Sequence, residues 1–179
     1  SFAVLGAGSI GLMHVAALST SMPSHLITTD VKAANLKAAR EMGATAAVNP
    51  SDGRAAEAIL DLTGGRGVDT CFAVYHSPDV VETALRVVRP QGRVVIVAVF
   101  PEPVRTALAT VQLNEIQMIG TVMYTREDYE RTITLAGQIR DRLKRLITHR
   151  VTLDELPRYL ELLGTGALPE AIKVMARLG

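Results

Sequence analysis

The sequence is poor in cysteine, in aromatic residues and in long apolar runs. A single cysteine among 179 residues excludes an internal disulfide framework and is typical of a reducing compartment, so we expect a cytoplasmic protein. With no Trp, three Phe and four Tyr, the chain has few side chains on which nucleic-acid bases could stack.

Net charge and hydropathy exclude two further classes of partner. The 19 Lys and Arg residues nearly cancel the 18 Asp and Glu residues, which leaves a formal charge of +1 and no basic footprint for nucleic acid. The longest apolar run, 94–100, is far shorter than the ~20 residues of a membrane helix. We therefore expect neither nucleic acid nor a membrane as a partner.

The chain also lacks close pairs of metal ligands. Neither Cys-x-x-Cys nor His-x-x-x-His occurs, although zinc sites usually draw ligands from such pairs. The five soft ligands fall on different predicted elements: His14, His25, Cys71, His76 and His149. The sequence therefore predicts no metal site and no catalytic residue in this chain.

The stretch from residue 1 to residue 30 predicts a dinucleotide site. The apolar run 2–5 leads into Gly6, Gly8 and Gly11, which suit a tight turn, a close approach of phosphate to the backbone, and close packing of the next helix. Helix N-termini attract phosphate through free N–H groups and the helix dipole. Asp30, placed 19 residues after Gly11 and at the end of a second strand-like run, can accept hydrogen bonds from both ribose hydroxyls.

Alternation between strand-like and helix-like periodicity continues along the chain. With 48% apolar residues the chain can bury a full core. Strands are predicted at 2–5, 25–29, 46–48, 68–74, 93–99 and 116–123. We therefore predict an α/β fold of the Rossmann type, with a doubly wound six-stranded parallel sheet and helices on both faces.

Helix boundaries follow from capping residues. The third helix is predicted to start at Ser51 or Asp52 and to bury Leu62, and Ser77 is predicted as the N-cap of the fourth. Thr125 begins a capping box whose helix is predicted to turn Tyr129, Ile133 and Ala136 inward.

Taken together, these motifs resemble the medium-chain dehydrogenase/reductase family, the zinc-type alcohol dehydrogenases. The segments that carry the resemblance are 4–12, Asp30, 43–44, 63–69, 89–94 and 147–150. Residues 124–129 are most similar to the polyol, butanediol and threonine dehydrogenase branch.

The resemblance implies NAD as the cofactor and a set of binding residues. These are Gly6, Gly8, Ser9, Ile10, Gly11, Asp30, Val31, Asn35, Val74, Tyr75, Val97, Thr121 and Met123. The last three would hold the nicotinamide carboxamide through backbone groups. The chain departs from the family pattern at Ala73, Tyr75, His76 and Ala98, and at Asn35, where a basic residue is common.

The resemblance also implies an oxidoreductase that transfers hydride from a small secondary alcohol to NAD. Residues 1–147 would be the dinucleotide-binding domain, and residues 148–179 would return to an N-terminal catalytic domain that carries the zinc. The sixth strand would pair across a two-fold axis in a homodimer or homotetramer. Two alternatives stay open: a zinc-free quinone or enoyl reductase of the same superfamily, and a nucleotide-sensing module without chemistry.

Overall fold

A computed structural model describes residues 1–178. Six strands form one parallel sheet in the order β3-β2-β1-β4-β5-β6. They are β1 (Phe2–Leu5), β2 (Leu26–Thr29), β3 (Ala46–Val48), β4 (Val68–Ala73), β5 (Val88–Ile96) and β6 (Gln117–Gly120). The predicted six-stranded Rossmann-type sheet is confirmed.

Helices cover both faces of this sheet. The α-helices of the described chain are α1 (Ser9–Leu18), α2 (Ala33–Glu41), α3 (Ala55–Leu62), α4 (Pro78–Val87), α5 (Leu108–Leu113), α6 (Arg126–Gln138), α7 (Arg140–Leu146) and α8 (Leu156–Gly164), of which α1 to α4 pack on the sheet. No helix within residues 1–178 combines the length and the apolar composition needed to cross a membrane.

Alternate residues of β1 show how the two cores form. Ala3 and Leu5 belong to the core under α3 and α4, whereas Val4 belongs to the core under α1, α2 and α7. Successive side chains of a strand point to opposite faces, so the central strand contributes to both layers. All three side chains are at most 1% exposed, as expected for a parallel sheet covered on both sides.

A second sheet lies outside this arrangement. It consists of two parallel strands, β7 (Ile147–Thr152) and β8 (Lys173–Arg177). β7 begins at Ile147, the last residue of the predicted dinucleotide-binding domain (1–147). Gly179, the last residue of the predicted second segment, lies outside the described residues.

The fifth and sixth strands differ from their predicted bounds. β5 begins at Val88, before Arg93, because Val88 already pairs with Val68 and the ladder resumes only at Arg93 after a register shift. β5 ends at Ile96 rather than residue 99. β6 then ends at Gly120 because Gly120 is the partner of Ile96 and no residue of β5 continues the pairing.

Three helix predictions were wrong. Neither Ser51 nor Asp52 caps α3, which begins at Ala55; Asp52 Oδ1 instead accepts a hydrogen bond of 3.0 Å from the Arg54 N–H in the preceding turn. Leu62 is 44% exposed. Tyr129 and Ile133 are 55% and 68% exposed. The isoleucine that reaches the core is Ile139, which follows this helix and is 6% exposed.

Other helix predictions were correct, and one helix was missed. The Ser77 side chain accepts from the Asp79 N–H, and Thr125 forms the predicted capping box with Asp128. Helix α5, which has only six residues, was not predicted. At that length it adds too few periodic positions to stand out from a loop.

Candidate functional site

The strand order reverses between β1 and β4, and a cleft opens there. In parallel α/β sheets, ligands bind beyond the carboxyl ends of the strands at such a switch point. The cleft has a volume of about 460 Å³. It is lined by residues that follow β1, β2, β3 and β4: Gly6, Gly8, Ser9, Ile10, Gly11, Thr29, Asp30, Val31, Pro50, Val74 and Tyr75.

The glycine loop between β1 and α1 leaves no room for larger side chains at two positions. Gly6 has φ +103°, a conformation that L side chains rarely adopt. A Cβ on Gly11 would lie 1.8 Å from the Gly6 carbonyl oxygen, so only glycine allows α1 to approach the loop this closely. A Cβ on Gly8 would instead meet nothing within 4 Å, because it would project into open space.

The start of α1 presents unpaired N–H groups beside this open space. The first helical hydrogen bond runs from the Leu12 N–H to the Gly8 carbonyl at 2.9 Å, so the amides of residues 9–11 precede the helical ladder. Gly8 is the N-cap and supplies no side-chain cap. Such an N-terminus can bind a phosphate group without a charged side chain.

Asp30 lies at the end of β2, facing the glycine loop. Its Oδ2 accepts from the Ala7 N–H at 2.9 Å and from Asn35 Nδ2 at 3.1 Å, and its Oδ1 accepts from the Lys32 N–H at 2.8 Å. The three donors fix the carboxylate at the rim of the cleft. They link the acid both to the loop after β1 and to the start of α2.

The remaining walls of the cleft are apolar. Val31 is 62% exposed at one side, and Tyr75 is 42% exposed at another. The Tyr75 ring covers Gly6, since its Cδ1 lies 3.0 Å from the position that a Gly6 Cβ would take. An apolar lining of this kind suits a flat heterocycle such as adenine.

The structure brings together most, but not all, of the residues predicted to bind the cofactor. Nine line the cleft: Gly6, Gly8, Ser9, Ile10, Gly11, Asp30, Val31, Val74 and Tyr75. Asn35 does not line it and lies behind Asp30, 6% exposed.

Val97, Thr121 and Met123 lie further along the same edge of the sheet, after β5 and β6. The Val97 N–H donates to the Ala73 carbonyl and the Thr121 N–H to the Ile96 carbonyl, each at 3.0 Å. Because these N–H groups are already paired, the backbone of Val97 and Thr121 would bind a carboxamide through carbonyl oxygens that accept from its N–H. Met123 is 79% exposed.

Two lining residues were missed from the sequence. Thr29 is the last residue of β2, and Pro50 lies in the loop just after β3, so both lie at the edge of the sheet where the strands end. The strand ends themselves were the available signal, because the carboxyl ends of parallel strands converge at the switch point.

The soft ligands are scattered, and the described residues do not fit a zinc ion. Within residues 1–178 no group of three or more His, Cys, Asp or Glu could hold a metal. The Cys71 thiol is fully buried, and burial raises its pKa far above the usual range, so it stays protonated. His14 packs on Phe72 with ring centroids 5.3 Å apart, and its Nδ1 lies 2.9 Å from the Ile10 carbonyl oxygen. His76 lies outside the cleft, beside the loop from Phe100 to Arg105.

The geometry thus defines a dinucleotide-binding domain, and comparisons identify its family. The family described as zinc-binding dehydrogenase matches residues 9–138. The chain therefore belongs to the zinc-binding dehydrogenase family, which confirms the resemblance that the motifs indicated.

Individual relatives support the same assignment. The chain is 32% identical to (R,R)-butanediol dehydrogenase of Neisseria gonorrhoeae over 84% of this chain and 42% of the relative. It is 31% identical to sorbitol dehydrogenase of Bacillus subtilis over 90% of this chain and 46% of the relative. A shorter match, 36% identical over 56% of this chain and 28% of the relative, is to NADP-dependent isopropanol dehydrogenase of Thermoanaerobacter brockii.

Solved structures give the same result. The fold superposes on an alcohol dehydrogenase from Thermotoga maritima with a TM-score of 0.86 and 26% identity, covering 98% of this chain and 49% of the other. The chain thus spans about half the length of the proteins it matches, and corresponds to their cofactor-binding part.

Proposed function

We propose that this chain is the NAD-binding part of a zinc-type dehydrogenase that transfers hydride from a small secondary alcohol to NAD. The observation that carries the proposal is the cleft at the switch point. There, the free amides at the start of α1 face the same space as the Asp30 carboxylate. A pyrophosphate would bind the amides, and the adenine ribose would bind Asp30.

The proposal favours NAD over NADP because of the charge on Asp30. A carboxylate accepts hydrogen bonds from ribose hydroxyls but repels a 2′-phosphate. Cofactor preference is open to test because one of the relatives uses NADP. Removing the carboxylate should reduce the preference for NAD over NADP, since the repulsion of the 2′-phosphate disappears with the negative charge.

Calorimetric titration with NAD and NADP tests this assignment. We expect NAD to bind at least ~10-fold more tightly, the loss expected for one or two hydrogen bonds to a charged group. The variants Asp30→Ala and Asp30→Ser should bind NAD less tightly and discriminate less. Asp61→Ala, which removes an exposed acid on α3, serves as the control and should change neither value. NADP binding equal to or tighter than NAD binding by the unmodified protein would contradict the proposal.

We also propose that zinc and the proton relay belong to a part of the protein outside this chain, in an N-terminal domain to which residues 148–179 return. The group of ligands that zinc needs is missing from residues 1–178, and the chain spans less than half of the butanediol and sorbitol dehydrogenases. A zinc ion would stabilise the alcohol oxygen as an alkoxide before hydride leaves.

The test is an assay of NADH production by the 179 residues alone, with diols, polyols and threonine, with and without added zinc. We expect cofactor binding without turnover. Turnover by this chain alone would contradict the assignment of the chemistry to another domain. Cofactor binding without turnover by the whole protein would instead favour a nucleotide-sensing module, and turnover of quinones without zinc would favour the reductase alternative.

Finally, we propose that two copies associate through β6 and that the protein is cytoplasmic. All four residues of β6 are exposed at an edge of the sheet, including the apolar Met118 and Ile119, and proteins normally pair or cover such edges. Sedimentation at tens of micromolar, about the dissociation constant of a weak dimer, should show dimers or tetramers, and Ile119→Lys should give monomers. A monomeric unmodified protein would contradict the proposed association.

Cell fractionation tests the proposed cytoplasmic location.

A further inference from the structure

Asn35 is a polar side chain buried one layer behind the cleft. It lies on the inner side of α2 together with Leu36 and Ala39, and it is 6% exposed. Its Nδ2 donates to Asp30 Oδ2 at 3.1 Å, whereas its Oδ1 is buried without a hydrogen-bond partner in the described residues. Since an ionised carboxylate only accepts, the amide nitrogen must be the atom that faces Asp30.

The contact with Asn35 occupies one of the hydrogen-bond acceptor positions of Asp30. Each carboxylate oxygen offers about two acceptor positions. On Oδ2 both are used, by the Ala7 N–H and by Asn35, whereas on Oδ1 one is used, by the Lys32 N–H. The free position of the carboxylate is therefore on Oδ1.

The unpartnered Oδ1 of Asn35 indicates that the contact with Asp30 is the reason for a polar residue here. An apolar side chain of similar size would leave no buried acceptor unpaired, and would be at least as compatible with the core. It would, however, leave Asp30 Oδ2 with a single donor. Because an amide is neutral, it supplies this donor without offsetting the negative charge of Asp30, as a Lys or Arg would.

We propose that Asn35 is a positioning residue for the cofactor, which acts through Asp30 and does not contact the cofactor itself. By occupying the second acceptor position of Oδ2, Asn35 leaves the free acceptor position of the carboxylate on Oδ1, where it accepts from one hydroxyl of the adenine ribose. This inference rests on the proposed function, since it requires that a ribose binds at Asp30.

A double-mutant cycle on the intact protein tests the inference. NAD affinity is measured by calorimetry for the unmodified protein, Asn35→Ala, Asp30→Ala and the double variant. With Asp30 present, Asn35→Ala should weaken NAD binding about five- to tenfold, the effect of one lost hydrogen bond. With Asp30 replaced by Ala, the same substitution should change the affinity by less than about twofold, because two residues that act through one contact are not additive.

Two further variants separate positioning from a general effect on folding. Asn35→Asp keeps the shape of the side chain but replaces the donor by an acceptor beside Asp30. At neutral pH it should weaken NAD binding at least as much as Asn35→Ala. Asn114→Ala, an asparagine whose Nδ2 bonds the Thr110 carbonyl far from the cleft, is the matched control and should leave the affinity unchanged.

The outcomes distinguish this inference from the proposed function. If Asn35→Ala has the same effect with and without Asp30, or none in either background, Asn35 does not act through Asp30 and the inference is wrong. If the unmodified protein does not bind NAD, or if Asp30→Ala does not weaken NAD binding, the proposed function fails at its own test.

Discussion

Two four-residue strands of the same sheet, β1 and β6, have opposite surroundings. In β1, Ala3 and Val4 are fully buried, whereas in β6, Met118 and Ile119 are 38% and 40% exposed. β1 pairs with β2 on one side and β4 on the other, and helices cover both of its faces. Within residues 1–178, β6 pairs only with β5.

The same contrast holds for the segments that follow these strands. The loop after β1 builds a cleft from residues that the described chain itself holds in place. The segment after β6 exposes Val122, Met123 and Tyr124 by 86%, 79% and 63%, and α6 exposes Tyr129 and Ile133. The first region is packed by the described residues, whereas the second exposes neighbouring apolar side chains of the kind that mark interaction surfaces.

The glycines of the two regions give the largest expected difference. Gly11→Ala places a Cβ 1.8 Å from the Gly6 carbonyl oxygen, a backbone atom that cannot move without shifting the loop. We expect a loss of roughly 1–3 kcal/mol or more in unfolding free energy and loss of measurable NAD binding. Gly120→Ala in β6, where a Cβ meets nothing within 4 Å, is the control. Denaturant unfolding and calorimetry measure both, and equal effects of the two substitutions would contradict the comparison.

Two isoleucines, Ile133 in α6 and Ile139 between α6 and α7, give the next comparison, whose effect is on stability alone. Ile139 is 6% exposed in the core under α1 and α7, whereas Ile133 of α6 is 68% exposed. Ile139→Ala should lower the unfolding free energy by about 2–4 kcal/mol, and Ile133→Ala should change it by less than about 0.5 kcal/mol in this chain. In the full protein a larger effect of Ile133→Ala would show that a partner surface covers α6. Equal effects in the chain alone would show that α6 is packed after all.

The sequence predicted the first region better than the second, and the reason is physical. The motif from Gly6 to Asp30 is local, and each glycine answers a constraint set by its own neighbours along the chain, so the loop and the acid were placed correctly. Tyr129 and Ile133 lie at helical spacing, but periodicity identifies an apolar face without showing what covers it. The start of β5 was missed because Val88 pairs with Val68, twenty residues away, and no local signal reports that pairing.

The role of Asn35 was also beyond the sequence. The family resemblance implied that Asn35, which follows Asp30 in the sequence, would contact the cofactor. The burial of its side chain and the direction of its amide depend on how α2 packs against the sheet. Neither follows from spacing.

An ion pair between the central strands β4 and β5 and another on α6 provide a comparison of electrostatics. Asp69, at the start of β4, accepts a hydrogen bond of 2.6 Å from Arg89. This guanidinium is the largest cause of a pKa of Asp69 well below its usual range, and the other donors around the carboxylate add to the effect. Its side chain is 34% exposed, so solvent reduces the gain. Asp69→Asn should lower the unfolding free energy by about 1 kcal/mol. The control, Glu127→Gln, breaks an exposed pair with Arg131 on α6 and should have no measurable effect.

The pH dependence of this effect follows from the lowered pKa. An acid whose pKa is lower in the folded state stabilises the fold above its unfolded pKa of about 3.9, and this stabilisation is lost as the pH falls towards the folded value. The difference between the unmodified protein and Asp69→Asn should therefore be constant near neutral pH and shrink below about pH 4. A difference that grows in acid would contradict this assignment.

The smallest expected difference concerns two helix caps whose side-chain hydrogen bonds have the same length. Ser77 Oγ accepts from the Asp79 N–H and Thr125 Oγ1 from the Asp128 N–H, each at 3.2 Å. Replacing either cap by Ala should cost about 0.5–1 kcal/mol of helix stability. Helix α4 packs on the buried sheet, so Ser77→Ala should lower the unfolding free energy of the whole chain. Helix α6 is largely exposed, so Thr125→Ala should act mainly through local opening of that helix.

Hydrogen exchange resolved by segment measures the local opening of α6 directly. Faster exchange confined to 126–138 in Thr125→Ala, with the global midpoint of denaturation unchanged, is the expected result. A matching fall in the global midpoint for both variants would show that α6 unfolds together with the core, and that the two regions are one cooperative unit.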